Sequence, residues 1–411
     1  DTRRYVVPSA PGKRFPKDTK VTDMLYACYE SAANGEDFSE QLDNIHARYQ
    51  EIIDGLNLDF SLDLDFVQIK ENFSNKAGAD YAASRGECLN GKIMAAYLGF
   101  EFVDAAEVVR FNDDGSFNDE VTNTLLSERL QDCKTAVIPG FYGAKKDGTI
   151  VTFSRGGSDI TGSLVALAVQ ADLYENWTDV SGFLIADPRI VKNPKSIETI
   201  TYKELRELSY MGASVLHEDA IFPVRKAGIP INIRNTNAPQ DKGTLIVEGT
   251  CRQPKYTITG IAGTDGFVAI TVEKAMMNSE VGFCRKVLQV FEDNGVSIEH
   301  MPSGIDTMSI FVNKDVFEEK EQKILADIHK AVNPDHIELE SNLALIAVVG
   351  RGMKSTRGTA GRIFSALAHA HINVKMIDQG SSELNIIIGV RHDDFKNAIR
   401  ALYEIFVLTQ I

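Results

Sequence analysis

Residues 151 to 166, "VTFSRGGSDITGSLVA", bring a guanidinium, two glycines, a hydroxyl and a carboxylate to one junction. A β-branched run ends at Phe153, and an apolar run with helical spacing begins at about Asp159. This predicts a strand, a tight turn and a helix N-terminus. Gly156 and Gly157 let the backbone turn sharply and approach a ligand closely. The first amides of a helix lack internal partners, and its dipole favours negative charge there. Ser158 is expected to cap the helix. Arg155 adds a planar fork suited to a carboxylate or a phosphate. Asp159 suits three tasks: complementing its helix dipole, holding magnesium, or gripping an ammonium group. The spacing is neither GxGxxG nor GxxxxGK[ST], so the two commonest nucleotide fingerprints do not apply.

A second cluster, "ASRGECLNG" (83–91), repeats the theme. Ser84, Arg85 and Gly86 precede Glu87, which is expected to open a helix with Leu89, Ile93, Ala96 and Tyr97 on one face. "WTDVSGFLIADPR" sets Thr178, Asp179, Asp187 and Arg189 on strand-end loops, with a turn at Asp187-Pro188. "SAPGKR" (9–14) is a Gly-containing basic loop after the first strand. No Ser-His-Asp set and no metal-ligand spacing accompanies these groups, so no metal site made by the protein is expected. The chemistry is that of gripping anions.

The elements that must position these groups are spread over 411 residues, enough for two or three domains. Apolar content of 44% and charged content of 25% are ordinary for a globular protein. No apolar run reaches the length of a membrane span and no signal peptide is visible. The net charge of −15 argues against nucleic acid as a partner. Cys28, Cys88, Cys133, Cys251 and Cys284 are scattered and odd in number, which predicts free thiols in the cytoplasm. The sequence lacks an initial Met and enters a strand-like run at once, so an upstream segment is expected.

From Tyr5 to about Val247 strand-like and helix-like runs alternate, which predicts an α/β sandwich with a mostly parallel sheet. Asp147-Gly148 marks a hairpin within it. The polar stretch around "NAPQDKGT" and "EGTCRQPKYT" reads as a boundary. Beyond it, 267–312 matches 343–388 without a gap, at an offset of 76. Each copy reads as a βαββαβ ferredoxin-like unit, and the two are expected to dock against each other.

"VVPSAP", "VTDML", "SRGECLNG", "GFYG", "FSRGGSDITGSLVA", "WTDVSGFLIADPR", "MGASVLH" and "GTLI", followed by the doubled unit ending in "MIDQGSSELNI", resemble the aspartate kinases of the amino-acid kinase family. The resemblance spans nearly the whole chain. It implies a three-layer α/β amino-acid kinase sandwich over residues 1–250, incomplete at its N-terminus. It also implies two ACT-like regulatory units, over 258–340 and 341–411. The activity implied is ATP-dependent phosphorylation of the L-aspartate side-chain carboxylate, giving 4-aspartyl phosphate with Mg2+ as the ion.

By resemblance, Arg155 grips the α-carboxylate with Ser158 beside it, and Glu87 meets the ammonium. Thr22 and Ser9 fall at substrate-side and phosphate-side positions, and Asp159 organises the active site. Gly156, Gly157, Thr178, Asp179, Leu184 and Arg189 fall around the nucleotide. Two departures stand out. The family's opening "KFGGTS" loop, with its phosphate-contacting Lys, is absent from these 411 residues. Ser214 stands where many relatives have a nucleotide-contacting Lys. The rival readings are a glutamate-type amino-acid kinase and a catalytically silent kinase-fold sensor.

The two repeats differ where an effector would sit: Glu299 stands in the first where Lys375 stands in the second. A carboxylate attracts a basic side chain, so lysine is the expected effector. Met277 to Phe283 would supply backbone groups to it, and Ser297 and Ile298 would close a dimer seam. A homodimer, or a dimer of dimers, is expected.

Overall fold

The structure is a computed structural model that describes residues 3–154, 156–213, 218–250 and 256–409. Its chain falls into two compact units. The first comprises Asp1–Trp177 and Leu216–Asn232, and the second Thr178–Val215 and Ile233–Ile411. These units cut the chain elsewhere than at the expected boundary near residue 250.

In the first unit, β1 (Tyr5–Val6), β3 (Ala136–Val137) and β2 (Glu101–Phe102) form a parallel sheet with β3 in the centre. β4 (Tyr142–Ala144) and β5 (Ile150–Thr152) form the expected antiparallel hairpin, and Gly148 turns it with φ of +89°. α5 (Ala105–Val108) and α6 (Asp119–Leu130) cover the sheet core together with α7 (Gly157–Ala168).

Between β1 and β2 the expected alternation fails. Four helices follow one another: α1 (Val21–Ala33), α2 (Ser39–Gly55), α3 (Asp63–Ser74) and α4 (Ala79–Leu98). They enclose a core of their own, with Leu25, Ile45, Tyr49, Ile69 and Phe73 almost fully buried. On α4 the expected apolar face holds only in part. Leu89 and Ile93 are buried, but Ala96 and Tyr97 are exposed because the last turn runs beyond that core. β6 (Tyr174–Thr178), α9 (Glu218–Ala227) and β8 (Ile231–Asn235) follow in chain order.

In the second unit β7 (Thr199–Thr201) runs parallel to β9 (Thr244–Val247), and β9 lies between β8 and β7. α8 (Tyr202–Tyr210) opens with a capping box in which Thr201 and Glu204 satisfy each other's backbone amides. Glu204 is fully buried. Its carboxylate also accepts from the Thr259 hydroxyl at 2.5 Å and from the Arg351 amide at 2.9 Å. The Arg351 guanidinium pairs with it at 2.8 Å.

The repeats share one six-stranded antiparallel sheet rather than docking as two closed units. Its order is β11 (Ile298–His300), β12 (Thr307–Asn313), β10 (Gly260–Glu273), β13 (His336–Val349), β15 (Asn385–Arg391), β14 (Met376–Asp378). β10 and β13 pair along nearly their whole length, from Gly260 with Val349 to Glu273 with His336. The second half of β10 belongs to the first repeat with β12, and the second half of β13 to the second repeat with β15. The boundary expected at 341 therefore falls inside β13. α10 (Phe283–Asp293) and α13 (Thr359–His369) keep the offset of 76. α12 (Glu321–Val332) and α14 (Phe395–Tyr403) are the second helices of the two copies.

Candidate active site

The turns after β1 and β3 meet the start of α7. The Gly140 amide donates to the Pro8 carbonyl at 3.2 Å. A Cβ on Gly140 would stand 2.6 Å from the Ser158 Cα, so only glycine admits this approach. Gly157 is needed for the same reason, because its Cβ would lie 2.7 Å from the Phe141 ring. Gly156 adopts φ of +57° and is the N-cap of α7. Among the described residues no side chain caps this helix: Ser158, expected as the cap, lies inside the first turn. The site thus gathers at the C-terminal ends of parallel strands, where open α/β sheets bind ligands.

Glu87 does not open a helix. α4 starts at Ala79 and carries Glu87 in its middle. Gly86 reads in sequence as a breaker, but it is a packing requirement: its Cβ would stand 2.8 Å from the Ala10 Cβ and 3.7 Å from the Thr22 hydroxyl. The Tyr49 hydroxyl fixes the Gly86 carbonyl at 2.7 Å. Glu87 is 6% exposed. Its Oε1 accepts from the Ala10 amide at 3.1 Å, while Oε2 is buried with no hydrogen-bond partner among the described residues. Burial pushes this carboxyl up to about 7, against the pull of the Ala10 amide.

A buried ion pair braces the loop that holds these groups. Arg48 meets Asp18 at 3.0 Å and donates to the carbonyls of Thr19 at 2.8 Å and Gly12 at 2.5 Å. Bonds from the Arg14 side chain and backbone hold the Asp18 carboxyl well below the usual range, and the Arg48 charge adds to this. Asn90 donates to the Ser9 carbonyl at 2.7 Å. On α7, the Asp159 carboxylate accepts from the Asn176 amide at 2.8 Å.

The structure therefore brings together Ser9, Thr22, Glu87, Gly156, Gly157, Ser158 and Asp159 within the first unit. Arg155 and Ser214 lie outside the described residues, as does Cys251. Thr178, Asp179, Leu184 and Arg189 belong to the second unit. There Thr178 donates to Asp179 at 3.2 Å, and its carbonyl accepts from the Thr236 amide at 2.8 Å. Arg189 pairs with Asp187 at 2.7 Å across the expected turn, in which the Ile190 amide bonds the Asp187 carbonyl. Leu184 bridges to Ser196.

Two site-supporting residues escaped the sequence reading. Arg48 continues the buried stripe of Leu42, Ile45, Tyr49 and Ile53 on α2, where a charged residue needs a buried partner. Asn176 falls on an inward position of β6. Both carry the signal of a polar side chain on an apolar face.

Of the expected effector residues, Met277 and Phe283 are buried in the first repeat's core, so only their backbone can face a ligand. The Met277 amide donates to the Lys274 carbonyl, and that of Phe283 to the Glu280 carbonyl. Ser297 is exposed, whereas Ile298 and Glu299 are half-buried. Glu299 accepts from the Tyr210 hydroxyl.

The amino acid kinase family model matches residues 17–235, and an ACT domain model matches residues 346–406. Aspartokinase 3 of Bacillus subtilis (strain 168) is 40% identical over 98% of this chain and 92% of its own length. The chain belongs to the aspartokinase family. Among solved structures, the aspartate kinase of Clostridium acetobutylicum superposes with a TM-score of 0.88 at 53% identity, covering 99% of this chain and 93% of that one. E. coli aspartokinase III in complex with lysine and aspartate, in its T-state, superposes with a TM-score of 0.68 at 25% identity, covering 98% and 92%. The kinase fold with ACT regulation implied by the motifs is thus the fold of this aspartokinase-family enzyme. Among the described residues no helix is long and apolar enough to cross a membrane, and no group of three acidic, His or Cys side chains could hold a metal ion.

Proposed function

We propose that this enzyme transfers the γ-phosphoryl group of MgATP to the side-chain carboxylate of L-aspartate. Glu87 carries this reading. It is a buried carboxylate with one oxygen held by Ala10 and the other without a partner among the described residues, beside Thr22 and the Ser9 loop. Such a group suits the ammonium of an amino acid. Arg155 takes the α-carboxylate, and the helix start at Gly156 to Asp159 faces the anionic end of the reaction.

The nucleophile is a carboxylate already ionised at pH 7, so no general base is needed, and catalysis is positioning and charge neutralisation. Magnesium, held mainly by the phosphates, supplies part of that neutralisation. Thr178, Asp179, Leu184 and Arg189 serve the nucleotide. Residues 1–250 act as the catalytic portion, with 258–340 and 341–411 as the regulatory repeats. Free thiols at Cys28, Cys88, Cys133 and Cys284 support a cytoplasmic setting.

Regulation follows the first repeat. Lysine is the effector we infer, with its side-chain ammonium at Glu299, and a homodimer seated on the repeats is the regulated form. The lysine-bound T-state of E. coli aspartokinase III supports this reading.

An assay with ATP, magnesium and hydroxylamine, which traps acyl phosphates, tests the reaction. Aspartyl hydroxamate is expected. Product from glutamate instead of aspartate overturns the substrate. Arg155→Ala is expected to raise the KM for aspartate about 10- to 150-fold and that for ATP far less. Equal effects on the two would remove Arg155 from the aspartate site.

A further inference from the structure

We propose that Asn176 is a positioning residue for phosphoryl transfer, whose side-chain amide fixes the orientation of the Asp159 carboxylate at the start of α7. β6 alternates, so Asn176 is 8% exposed while Trp177 beside it faces solvent. An inward strand position favours a β-branched or aromatic residue, and a buried amide is costly unless hydrogen-bonded. Here the Asn176 Nδ2 donates to the Asp159 Oδ1 at 2.8 Å and to the Tyr174 hydroxyl at 3.2 Å. The Tyr174 hydroxyl in turn donates to the Asp159 backbone carbonyl at 3.3 Å.

Gly162, one turn along α7, makes room for this arrangement, since a Cβ there would stand 2.6 Å from the Tyr174 hydroxyl. Two of these contacts latch the first turn of α7 to β6: one holds the Asp159 backbone carbonyl, and the other aims at its side-chain carboxylate. The third, from Asn176 to Tyr174, ties the two donors together within β6. An amide there donates to Asp159 without adding charge and holds the carboxylate turned one way. A carboxylate that organises transferring phosphate must be fixed in advance, because reorienting it during the reaction would cost rate.

The inference rests on Asp159 belonging to the active site, and the experiment separates the two. The full chain is assayed as Asn176→Leu, Asn176→Asp and Asp159→Asn. Asn176→Leu suits a buried strand position and is expected to fold with an unchanged circular dichroism spectrum. Its kcat should fall about tenfold or more, while KM for aspartate and for ATP moves less than about threefold. A kcat within about threefold of the parent overturns the proposal.

In Asn176→Asp two carboxyl groups face each other, and their repulsion raises the pKa of one of them, so the pair is fully ionised at pH 8 and shares a proton as pH falls. Among the described residues Tyr174 also contacts the pair, and burial holds its hydroxyl well above its ordinary value, so it stays protonated throughout. Activity lost at pH 8 should return in part by about pH 6. A loss with the parent's own pH profile overturns the proposal, even should Asn176→Leu fail to fold. Asp159→Asn with full activity overturns the role of Asp159 itself, and loss there with none in Asn176→Leu overturns the role of Asn176 alone.

Discussion

The hydroxyl of Tyr210, the last residue of α8, donates a hydrogen bond to the carboxylate of Glu299 on β11. Burial and then this bond push the phenol up to about 12, so the hydroxyl keeps its proton across the neutral range. The contact ties α8 to the carboxylate proposed to receive the effector's side chain. A basic ligand must compete with Tyr210 or share Glu299 with it.

Tyr210→Phe should therefore lower the lysine concentration for half-inhibition, by about two- to tenfold, the worth of one ordinary hydrogen bond. Glu299→Lys should abolish lysine inhibition. Each curve is normalised to that variant's own uninhibited rate. Undiminished lysine sensitivity in Glu299→Lys would remove Glu299 from the effector site.

Glu87→Gln should raise KM for aspartate by about tenfold or more and leave KM for ATP nearly unchanged. The carboxyl titrates at about 7. Only its ionised form attracts the ammonium group, so kcat/KM for aspartate should fall as pH drops through 7. Stability runs the other way. A carboxyl raised in the folded state destabilises the fold above that value, and the cost vanishes below the unfolded value near 4.3. Glu87→Gln should thus be more stable than the parent at pH 8, by up to roughly 3 kcal/mol. Denaturant titrations should show the two converging as pH falls from 7 to about 4.3.

Gly140→Ala forces a Cβ to 2.6 Å from the Ser158 backbone, which cannot give way as a flexible side chain would. Activity should drop at least about tenfold, through parting of the 139–141 loop from α7. Gly361→Ala is the control: among the described residues no neighbouring group lies within 4 Å of the added Cβ at that exposed site in α13. Better helix propensity should stabilise it by up to about 1 kcal/mol with activity intact.

Arg351→Ala strands the buried Glu204 carboxylate without its guanidinium. Removing one partner of a buried pair typically costs about 3–5 kcal/mol, and thermal melts should show it. The bonds from Thr259, Arg351 and Thr201 outweigh burial and hold the Glu204 carboxyl below its ordinary value. Its contribution is present above the unfolded value near 4.3 and lost as pH falls through the lower folded value. The parent's advantage over the variant should therefore shrink only in acid.

The strands, the hairpin at Asp147-Gly148 and the offset of 76 were legible because alternation, turn residues and self-similarity are local signals. The candidate site was legible as a set of residue types, since Gly156, Ser158, Asp159 and Glu87 converge as their chemistry suggests. Their mounting was not. Gly86 looks like a helix break when read alone, and only the approach of Ala10 from far along the chain explains a glycine inside α4. Ser158 resembles a cap, but the left-handed turn at Gly156 moves the helix start ahead of it. The pairing of β10 with β13 joins segments whose separation in sequence exceeds any periodic window, so the repeats appeared as two closed copies.

That pairing has a consequence for how control by metabolites can change hands. Glu273 and His336 are register partners, and the Asp335 amide bonds the Glu273 carbonyl at 2.9 Å. Everything from 274 to 335, including α10, β11, β12 and α12, therefore hangs from the tip of one long hairpin. The two ends of that cassette lie side by side, and the second repeat is never cut. One recombination event could exchange the whole sensing insert for another, or close the tip with a short turn. Either way it would leave the remaining sheet, and the enzyme attached to it, in register.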